Sequence, residues 1–248
     1  MYNPTPEEKI FLEQYNPNKY EKPSVTADIV IFTLSENNIL SMLLIKRGGF
    51  PYKGKWAIPG GFVTIHESVD EAALRELQEE TSIKDVSVEQ FGTFGAVDRD
   101  PRMRVISVAY MAFIPKEALK YKAGDDATDA QLFEIKFGID GMYFENENYT
   151  FSADELAFDH EQIIKTAIMR LRNRIDYTED AFSFLKNPNS FSIYELKKIF
   201  EAVKNTKLDT GNFRRNFFRD YVETKKVVAT GQKTKNGGPD AMLYNKVK

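Results

Sequence analysis

Two runs of β-branched and apolar residues stand near the start of the chain, at Ser24 to Leu34 and Leu40 to Lys46. The polar cluster between them, Ser35 to Asn38, is typical of a turn, so the pattern predicts a β-hairpin. Glycines and prolines from Gly48 to Gly61 then indicate a loop. That loop leads into a helix predicted from about Ser68 to Glu80.

The next apolar runs, Val86 to Thr93, Val105 to Ile114 and Leu132 to Phe137, are predicted strands, and a polar excursion from Leu119 to Asp129 precedes the last of them. Strands and helices therefore alternate, which favours an α/β fold. The stretch from Gly138 to Asp154 has many turn residues and no clear period. We expect a long loop there, and long loops often border functional sites.

A long amphipathic helix is predicted after this loop, with Asp159 as its N-cap. Its apolar residues recur at helical spacing and are Ile163, Ile164, Ala167, Ile168 and Leu171. This helix closes a first domain, residues 1–187. The boundary is placed at Asn187-Pro188-Asn189 because both the charge and the pattern change there, and residues 188–248 form a second domain.

The second domain begins with a helix that Ser192 and Glu195 mark by the spacing of a capping box. A second helix is predicted from about Gly211 to Tyr221, with aromatic residues on one side, the aromatic arc, and polar residues on another, the polar arc. A strand from Lys225, a turn at Gly231, a basic glycine-rich loop and a strand at the end of the chain follow. Helix, turn, helix and hairpin in this order indicate a C-terminal winged helix-turn-helix domain.

Charge is segregated between the two domains. The whole chain carries a formal net charge of -3, but residues 188–248 hold 13 Lys or Arg against 6 Asp or Glu, whereas residues 1–187 hold 21 against 31. A basic part beside an acidic one suggests a polyanionic partner, and the alternative is a solvated basic surface.

The polar arc of the second C-terminal helix has the residue types that contact base edges and phosphates of double-stranded DNA. We therefore expect a DNA-binding role for Asn212, Arg214, Arg215, Asn216 and Arg219. The alternative is a helical appendage for dimerisation, which would not need arginine and asparagine along that helix.

Composition limits the chemistry of any metal site. The 248 residues include no cysteine and only two histidines, which excludes disulfides and argues against a zinc site of the usual nitrogen and sulfur ligands. Any metal must therefore be held by oxygen. The polar N-terminus has no apolar run of signal-peptide or membrane-spanning length, so we expect a cytoplasmic protein without a membrane partner.

Three glutamates at i, i+3 and i+4 spacing, Glu76, Glu79 and Glu80, share one face of the first predicted helix. Their mutual repulsion would be reversed by a bound cation, and hard oxygen ligands suit Mg²⁺ or Mn²⁺. Arg75 precedes Glu79 by four residues and can orient it. The alternative is a surface helix that happens to be rich in glutamate.

Candidate ligand contacts lie outside this helix. Arg99, Arg102 and Arg104 follow a strand and suit bidentate phosphate contacts; the alternative is an ion-paired turn with neighbouring aspartates. Trp56, the only tryptophan, could stack on a base or fill the core, and the core is favoured. Arg47 completes the candidate ligand-binding set.

The segment from Gly61 to Ile83, GFVTIHESVDEAALRELQEETSI, resembles the Nudix box, G-x5-E-x7-R-E-U-x-E-E-x-G-U with U a bulky aliphatic residue. Eight of its nine fixed positions match. The departure is Ser82 in place of glycine, expected to cost on the order of 1 kcal/mol if the left-handed geometry is kept.

The resemblance implies the Nudix fold, a mixed sheet between helices, and metal-dependent hydrolysis of a nucleoside diphosphate linked to another group. It implies Glu67, Arg75, Glu76, Glu79 and Glu80 as catalytic residues, with a metal held by Glu79 and Glu80, supported by Glu76, Glu67 and Gly61. Because the family often takes its general base from outside the box, four acidic residues in or beside the predicted loop are candidates, with solvated surface as the alternative: Glu145, Glu147, Asp154 and Glu155.

The whole chain resembles a narrower group. A Nudix domain followed by LAFDH (Leu156 to His160), FSIYEL (Phe191 to Leu196) and NFRR (Asn212 to Arg215) is similar to the Nudix-related transcriptional regulators of NAD metabolism and their sugar-responsive relatives. The resemblance implies that ADP-ribose or a related ligand is sensed and that a homodimer binds a palindromic DNA operator. A working pyrophosphatase and a non-catalytic sensing repressor both remain open.

Overall fold

A computed structural model of the chain, in which residues 2–81, 86–121, 127–234 and 240–247 are described, has two parts. A large mixed sheet with helices is followed by a small domain of helices and a three-stranded sheet. This confirms the predicted α/β fold with a C-terminal winged helix-turn-helix domain. Ser82, where the sequence departs from the Nudix box, and most of the predicted basic glycine-rich loop, residues 235–239, lie outside the described residues.

The large sheet runs in the order β5-β6-β1-β2-β7-β8-β9, with β3 paired to β2 and β4 paired to β1. Its strands are β1 Ser24–Leu34, β2 Leu40–Arg47, β3 Trp56–Ala57, β4 Gly60–Phe62, β5 Val88–Phe94, β6 Val105–Phe113, β7 Ala127–Gly138, β8 Gly141–Glu145 and β9 Thr150–Ser152. β1 and β2 form the predicted hairpin, and β1 is parallel to β6.

The described helices are α1 Pro6–Gln14, α2 Val69–Thr81, α3 His160–Arg174, α4 Asp180–Ser183, α5 Ile193–Lys204 and α6 Thr210–Phe217. α6 continues as a wider π-helical turn, Phe218–Val222. Within the described ranges, no helix is long and apolar enough to cross a membrane.

The long loop predicted from Gly138 to Asp154 is wrong, because β8 and β9 form antiparallel strands there. Met142 and Phe144 alternate with more exposed neighbours in β8 and are buried against the core. These strands are too short for a period to show in the sequence. β7 likewise begins at Ala127, inside the predicted polar excursion.

The predicted N-cap at Asp159 also needs correction. Asp159 stands at the N-cap position of α3, but its side chain makes no cap hydrogen bond. Arg99 instead donates to both carboxylate oxygens, Nε at 2.9 Å and Nη2 at 2.7 Å. A side chain distant in sequence therefore takes the acceptor that local pattern assigned to the helix.

The apolar residues form two clusters on opposite faces of the large sheet. One includes Leu77 of α2 and Ile29 of β1. The other includes Ile164 of α3 and continues into the C-terminal domain through Phe182 and Phe191. The sheet is thus covered by α2 on one face and by α3 with the C-terminal domain on the other.

The C-terminal sheet consists of β10 Phe191–Ser192, β11 Val227–Thr234 and β12 Ala241–Lys246. The predicted capping box of α5 is confirmed, since Ser192 accepts from the Glu195 amide at 3.2 Å. The predicted turn at Gly231 is wrong: β11 passes through it as a bulge, with a Gly231 φ of +76° that suits glycine. The domain boundary at residue 187 stays a prediction.

Candidate functional site

A cleft of about 320 Å³ opens where α2 lies beside β1 and β4, and we refer to it as the α2 cleft. α2 contributes Arg75, Glu76, Glu79 and Glu80 to its lining. The opposite face of α2 is apolar, with Ala73 and Leu77 among its buried residues. The amphipathic pattern of the helix therefore places its glutamates at the cleft.

Arg75 is the centre of an ionic network at this site. Its Nε and Nη2 each lie 3.0 Å from a Glu67 oxygen, and its Nη1 lies 2.7 Å from Glu76 and 3.4 Å from Glu79. The Arg75 hydrogen bonds, with the Thr64 amide, lower the pKa of Glu67 to about 2. Glu67 itself does not line the cleft, so it acts through Arg75.

Glu76 lies against the backbone of β4 at Gly61. A Cβ added at Gly61 would stand 2.0 Å from Glu76 Oε1, so only glycine permits this approach. Burial raises the pKa of Glu76, and the negative charges of Glu79 and Asp28 add to this, while Arg75 opposes it. The Glu76 carboxyl is therefore held in a partly desolvated position beside Arg75.

A second ionic group borders the cleft around Arg99. This buried guanidinium makes its two bonds to Asp159 and lies 3.6 Å from Asp28 of β1. Burial alone would lower the pKa of Arg99, but Asp159 and Asp28 outweigh it and raise the pKa. Asp28 also accepts a hydrogen bond from Ser107 on β6. These contacts join β1, β6, the segment after β5 and the start of α3 at the cleft.

His160, the first residue of α3, lines the same cleft and is buried. Its Nδ1 accepts a hydrogen bond from the Ile58 amide at 3.1 Å. Burial lowers the pKa of His160 to about 4. The imidazole is therefore neutral at physiological pH and serves as an acceptor for the loop before β4.

The second candidate surface is α6. Phe217 and Tyr221 are buried against the C-terminal core, while the predicted DNA-contact side chains, Asn212, Arg214, Arg215, Asn216 and Arg219, are all exposed. Asp209 caps the helix by accepting from the Asn212 amide at 2.7 Å. Arg219 is held by its neighbour Asp220, at 2.6 Å and 2.8 Å.

Comparison with protein families matches both parts of the chain. Residues 22–137 match the NUDIX domain, and residues 181–245 match the NrtR DNA-binding winged helix domain. Among characterised relatives, the ADPR responsive transcriptional repressor NtrR of Acinetobacter baylyi is 31% identical over 96% of this chain and 87% of its own length. The chain belongs to the family of NrtR-type NUDIX regulators.

Other members and relatives agree with this. The ADP-ribose pyrophosphatase of Methanocaldococcus jannaschii is 39% identical over 62% of this chain and 78% of its own. Among solved structures, a MutT/nudix family protein from Enterococcus faecalis is 30% identical with a TM-score of 0.78, covering 97% of this chain and 93% of the other. Shewanella oneidensis NrtR complexed with a 27mer DNA is 26% identical with a TM-score of 0.69, covering 90% and 93%.

NUDIX hydrolases generally use divalent metal ions, so the fit of such an ion to this NrtR-type chain matters. Glu76, Glu79 and Glu80 offer hard oxygen donors to one cleft, which suits a divalent cation. Among the described residues, however, no three acidic or imidazole groups are already gathered as a metal site. Arg75 engages Glu76 and Glu79 instead, and a cation would have to take over those contacts.

Only some of the candidate ligand contacts line the α2 cleft. Arg47, Arg99 and Arg102 line the α2 cleft. Arg104 is not among the lining residues, and its Nη1 donates to the Ala96 carbonyl at 2.8 Å. Trp56 is only 6% exposed, and its ring meets the side chains of Phe133, Tyr149 and Phe151, so the ligand contact for Trp56 is wrong and its core role is correct.

Arg102 makes the ion pair of the predicted turn, since its Nε and Nη2 donate to Asp100 at 3.0 Å and 2.8 Å, and its phosphate contact stays a prediction. Arg99 pairs instead with Asp159 and Asp28, which are distant in sequence. The candidate bases Glu145, Glu147, Asp154 and Glu155 do not line the cleft, because β8 and β9 carry that segment elsewhere. Glu145, for example, pairs with Lys136 at 3.0 Å.

Sequence reasoning missed Asp28, Phe158 and His160 at the cleft. A lone aspartate within the apolar run of β1 was the available signal for Asp28. Phe158 has a left-handed φ of 54°, unusual for a bulky residue, and its ring lies 4.8 Å from the Arg47 guanidinium and 5.9 Å from that of Arg102. Nothing local to its sequence indicates this arrangement.

Proposed function

We propose that the protein is a DNA-binding transcriptional regulator whose NUDIX domain binds ADP-ribose or a related nucleoside diphosphate and hydrolyses it with Mg²⁺ or Mn²⁺. The observation that carries the proposal is the α2 cleft, where Glu76, Glu79 and Glu80 share one lining with Arg99 and Arg102. Carboxylates for a cation and guanidinium groups for phosphates together suit a metal-bridged diphosphate.

In this proposal each residue of the cleft would have a separate role. Glu79 and Glu80 would hold the cation with support from Glu76, and the bound cation would neutralise the diphosphate and activate a water molecule. Arg75 orients the glutamates through the bonds already described, with Glu67 holding Arg75 in place. Arg102 borders the cleft beside the Phe62 ring, at 5.6 Å, which places its charge for a phosphate contact.

The relatives support both halves of the proposal. The Acinetobacter repressor responds to ADP-ribose, and the Methanocaldococcus enzyme is an ADP-ribose pyrophosphatase. The α2 cleft is lined by the three helix glutamates that the family resemblance implies for turnover, Glu76, Glu79 and Glu80.

Hydrolysis is tested by incubating the full-length protein with ADP-ribose and Mg²⁺ and measuring AMP. We expect AMP from the unmodified protein and a loss of two orders of magnitude or more, roughly, in Glu79→Gln and Glu80→Gln, because the cation loses a ligand. Glu161→Gln, on α3 and outside the cleft lining, is the control and should keep full activity. If the unmodified protein releases no AMP, the hydrolase part of the proposal fails for this substrate.

A second candidate is a repressor that senses the ligand without turnover. It is favoured by the contacts of Arg75, which occupies carboxylates that a cation would need. The DNA function is common to both candidates and rests on the exposed polar face of α6, which we propose to enter the major groove, with a homodimer on a palindromic operator.

DNA binding is tested by gel shift on duplex DNA from upstream of the gene. We expect Arg215→Ala to weaken binding by about 1–3 kcal/mol, while Arg170→Ala, an exposed arginine on α3, leaves it unchanged. Added ADP-ribose should release the DNA in both candidates. Binding by Arg215→Ala equal to that of the unmodified protein would count against α6 as the reading helix.

A further inference from the structure

A second cavity, of about 350 Å³, lies between the NUDIX and C-terminal domains, and we refer to it as the interdomain cavity. The β1–β2 turn contributes Asn38 and β7 contributes Phe137. Arg172 enters from α3, and Lys198 and Lys207 come from α5 and the segment after it. None of the residues lining it also lines the α2 cleft. The interdomain cavity is therefore a separate feature of the fold.

Arg172 is the most unusual of these residues. Its Nε donates to the Val203 carbonyl of α5 at 2.9 Å, and its guanidinium lies 4.4 Å from the Phe137 ring centre. Across the described part of the chain, no carboxylate pairs with Arg172, whereas Arg174 two residues later pairs with both Glu89 and Asp180. Burial lowers the pKa of Arg172, which marks a partly desolvated cation without an anion.

The surrounding side chains add positive charge and neutral donors. Lys198 is 3.3 Å from Glu201, but Glu201 is shared with Lys197 at 2.7 Å. Lys207 is exposed and has no carboxylate partner within the described ranges. The lining thus holds the positive Arg172, Lys198 and Lys207 against the single negative Glu201, with Asn205 and Thr206 at the same end.

We propose that the interdomain cavity binds a small phosphate-bearing anion, with Arg172 as the principal contact. The volume lies within the usual range of small-ligand sites, about 300–1,000 Å³. A phosphate group supplies the negative charge that Arg172 lacks and accepts bidentate hydrogen bonds from a guanidinium. Because the lining comes from both domains, the bound anion would also stabilise one arrangement of the NUDIX domain relative to the DNA-binding domain. This site does not rest on the function proposed for the α2 cleft.

The test is calorimetric titration of the full-length protein with inorganic pyrophosphate, in phosphate-free buffer without divalent cations. Arg99 and Arg102 make the α2 cleft a second binding place for this probe, so we expect two binding events. Arg172→Gln should abolish one event and leave the other. Lys207→Gln should weaken the same event about threefold to tenfold, as expected for an exposed charge at the edge of the cavity, without disturbing the Arg172 bond to Val203.

Arg170→Gln is the matched control, since Arg170 is an exposed arginine on the same helix and does not line the interdomain cavity. It should leave both events unchanged. Arg102→Gln should weaken the event that Arg172→Gln spares. A single event removed by Arg102→Gln and unaffected by Arg172→Gln and Lys207→Gln would overturn the proposal, as would equal weakening by Arg170→Gln or no binding at all.

The phosphate could also belong to the DNA backbone, and a DNA arm separates the two sources. Operator affinity of Lys207→Gln is measured in phosphate-free buffer. We expect it to equal that of the unmodified protein, since the interdomain cavity is sized for a small molecule. A loss of DNA affinity in Lys207→Gln together with unchanged pyrophosphate binding would assign the cavity to the DNA backbone and overturn the small-anion site.

Discussion

His160 shows how burial sets the chemistry of a single side chain. Its imidazole is enclosed beside the α2 cleft and accepts the Ile58 amide, so protonation would cost both solvation and that hydrogen bond. The folded protein therefore binds this proton less readily than the unfolded chain does. Stability is linked to pH wherever the two states differ in bound protons.

The pH dependence of unfolding follows from this difference. The pKa of His160 is about 4 in the folded protein, against an ordinary value of 6.5 for a solvated histidine. Neutral, buried His160 contributes up to about 3 kcal/mol to the free energy of unfolding. This stabilisation is complete above pH 6.5 and is lost as the pH falls toward 4. Urea unfolding at several pH values measures it. His160→Asn keeps an acceptor for Ile58 without a titrating ring and should flatten the curve in this window. An equally steep curve in that variant would refute the assignment.

Gly61 is the residue at which backbone and carboxylate come closest. We expect Gly61→Ala to fold but to displace Glu76, because the new Cβ would overlap Glu76 Oε1, the end of a flexible side chain. Because the displaced carboxylate would leave the cleft face that Glu79 and Glu80 share, binding of Mn²⁺ should weaken about tenfold, measured by calorimetry with the metal alone. Gly49→Ala, where a Cβ meets nothing within 4 Å, is the control. Unchanged Mn²⁺ binding in Gly61→Ala would remove Glu76 from the metal set.

Among the elements, α5 contacts α3 of the first domain through Val203, and its stability depends on the cap of its first turn. Ser192 and Glu195 satisfy each other's backbone amides, at 3.2 Å and 2.8 Å, as the sequence pattern predicts. Ser192→Ala should lower the free energy of unfolding by about 1 kcal/mol, measured by urea denaturation. Ser183→Ala, exposed at the end of α4, should change it by much less. Equal effects of the two substitutions would show that the cap contributes little.

The elements also show where local pattern succeeds. α2 and α5 were predicted because apolar residues recur at helical spacing, and the structure buries Leu77, Leu196 and Val203 accordingly. The short strands β8 and β9 were missed, since pairing with β7 rather than any period of their own defines them. α1 was also missed, although Thr5 and Glu8 form a capping box, because none of its residues is buried.

The whole molecule is electrically divided, and DNA binding should depend on salt for that reason. Residues 188–248 carry the excess of positive charge and include α6, while residues 1–187 are acidic. The affinity should fall as salt rises, and each phosphate contact should make the slope of log affinity against log salt steeper by about 0.9. Anisotropy between about 50 and about 200 mM NaCl measures this slope. Arg215→Gln should reduce the slope by about 1. A salt-independent affinity would contradict a phosphate-contacting α6.

The sequence by itself determined which charged residues of α2 face the α2 cleft. Spacing along one helix decides which face a residue occupies, so Glu76, Glu79 and Glu80 could be assigned to one face, and the capping box of α5 could be read from Ser192 and Glu195. These features depend on contacts within a few residues. The charge division follows from composition alone, and the polar face of α6 follows from helical spacing.

Only the tertiary structure decided which distant residues surround the helix glutamates. Arg99 reaches Asp159 across sixty positions of sequence, and His160 reaches Ile58 across more than a hundred. Arg172 meets α5 only because the two domains pack together. Burial and long-range pairing depend on how distant segments fold onto one another, and no local pattern encodes them. They decided for Trp56 between the two roles that the sequence left open, in favour of the core, and brought Asp28 and His160 to the cleft.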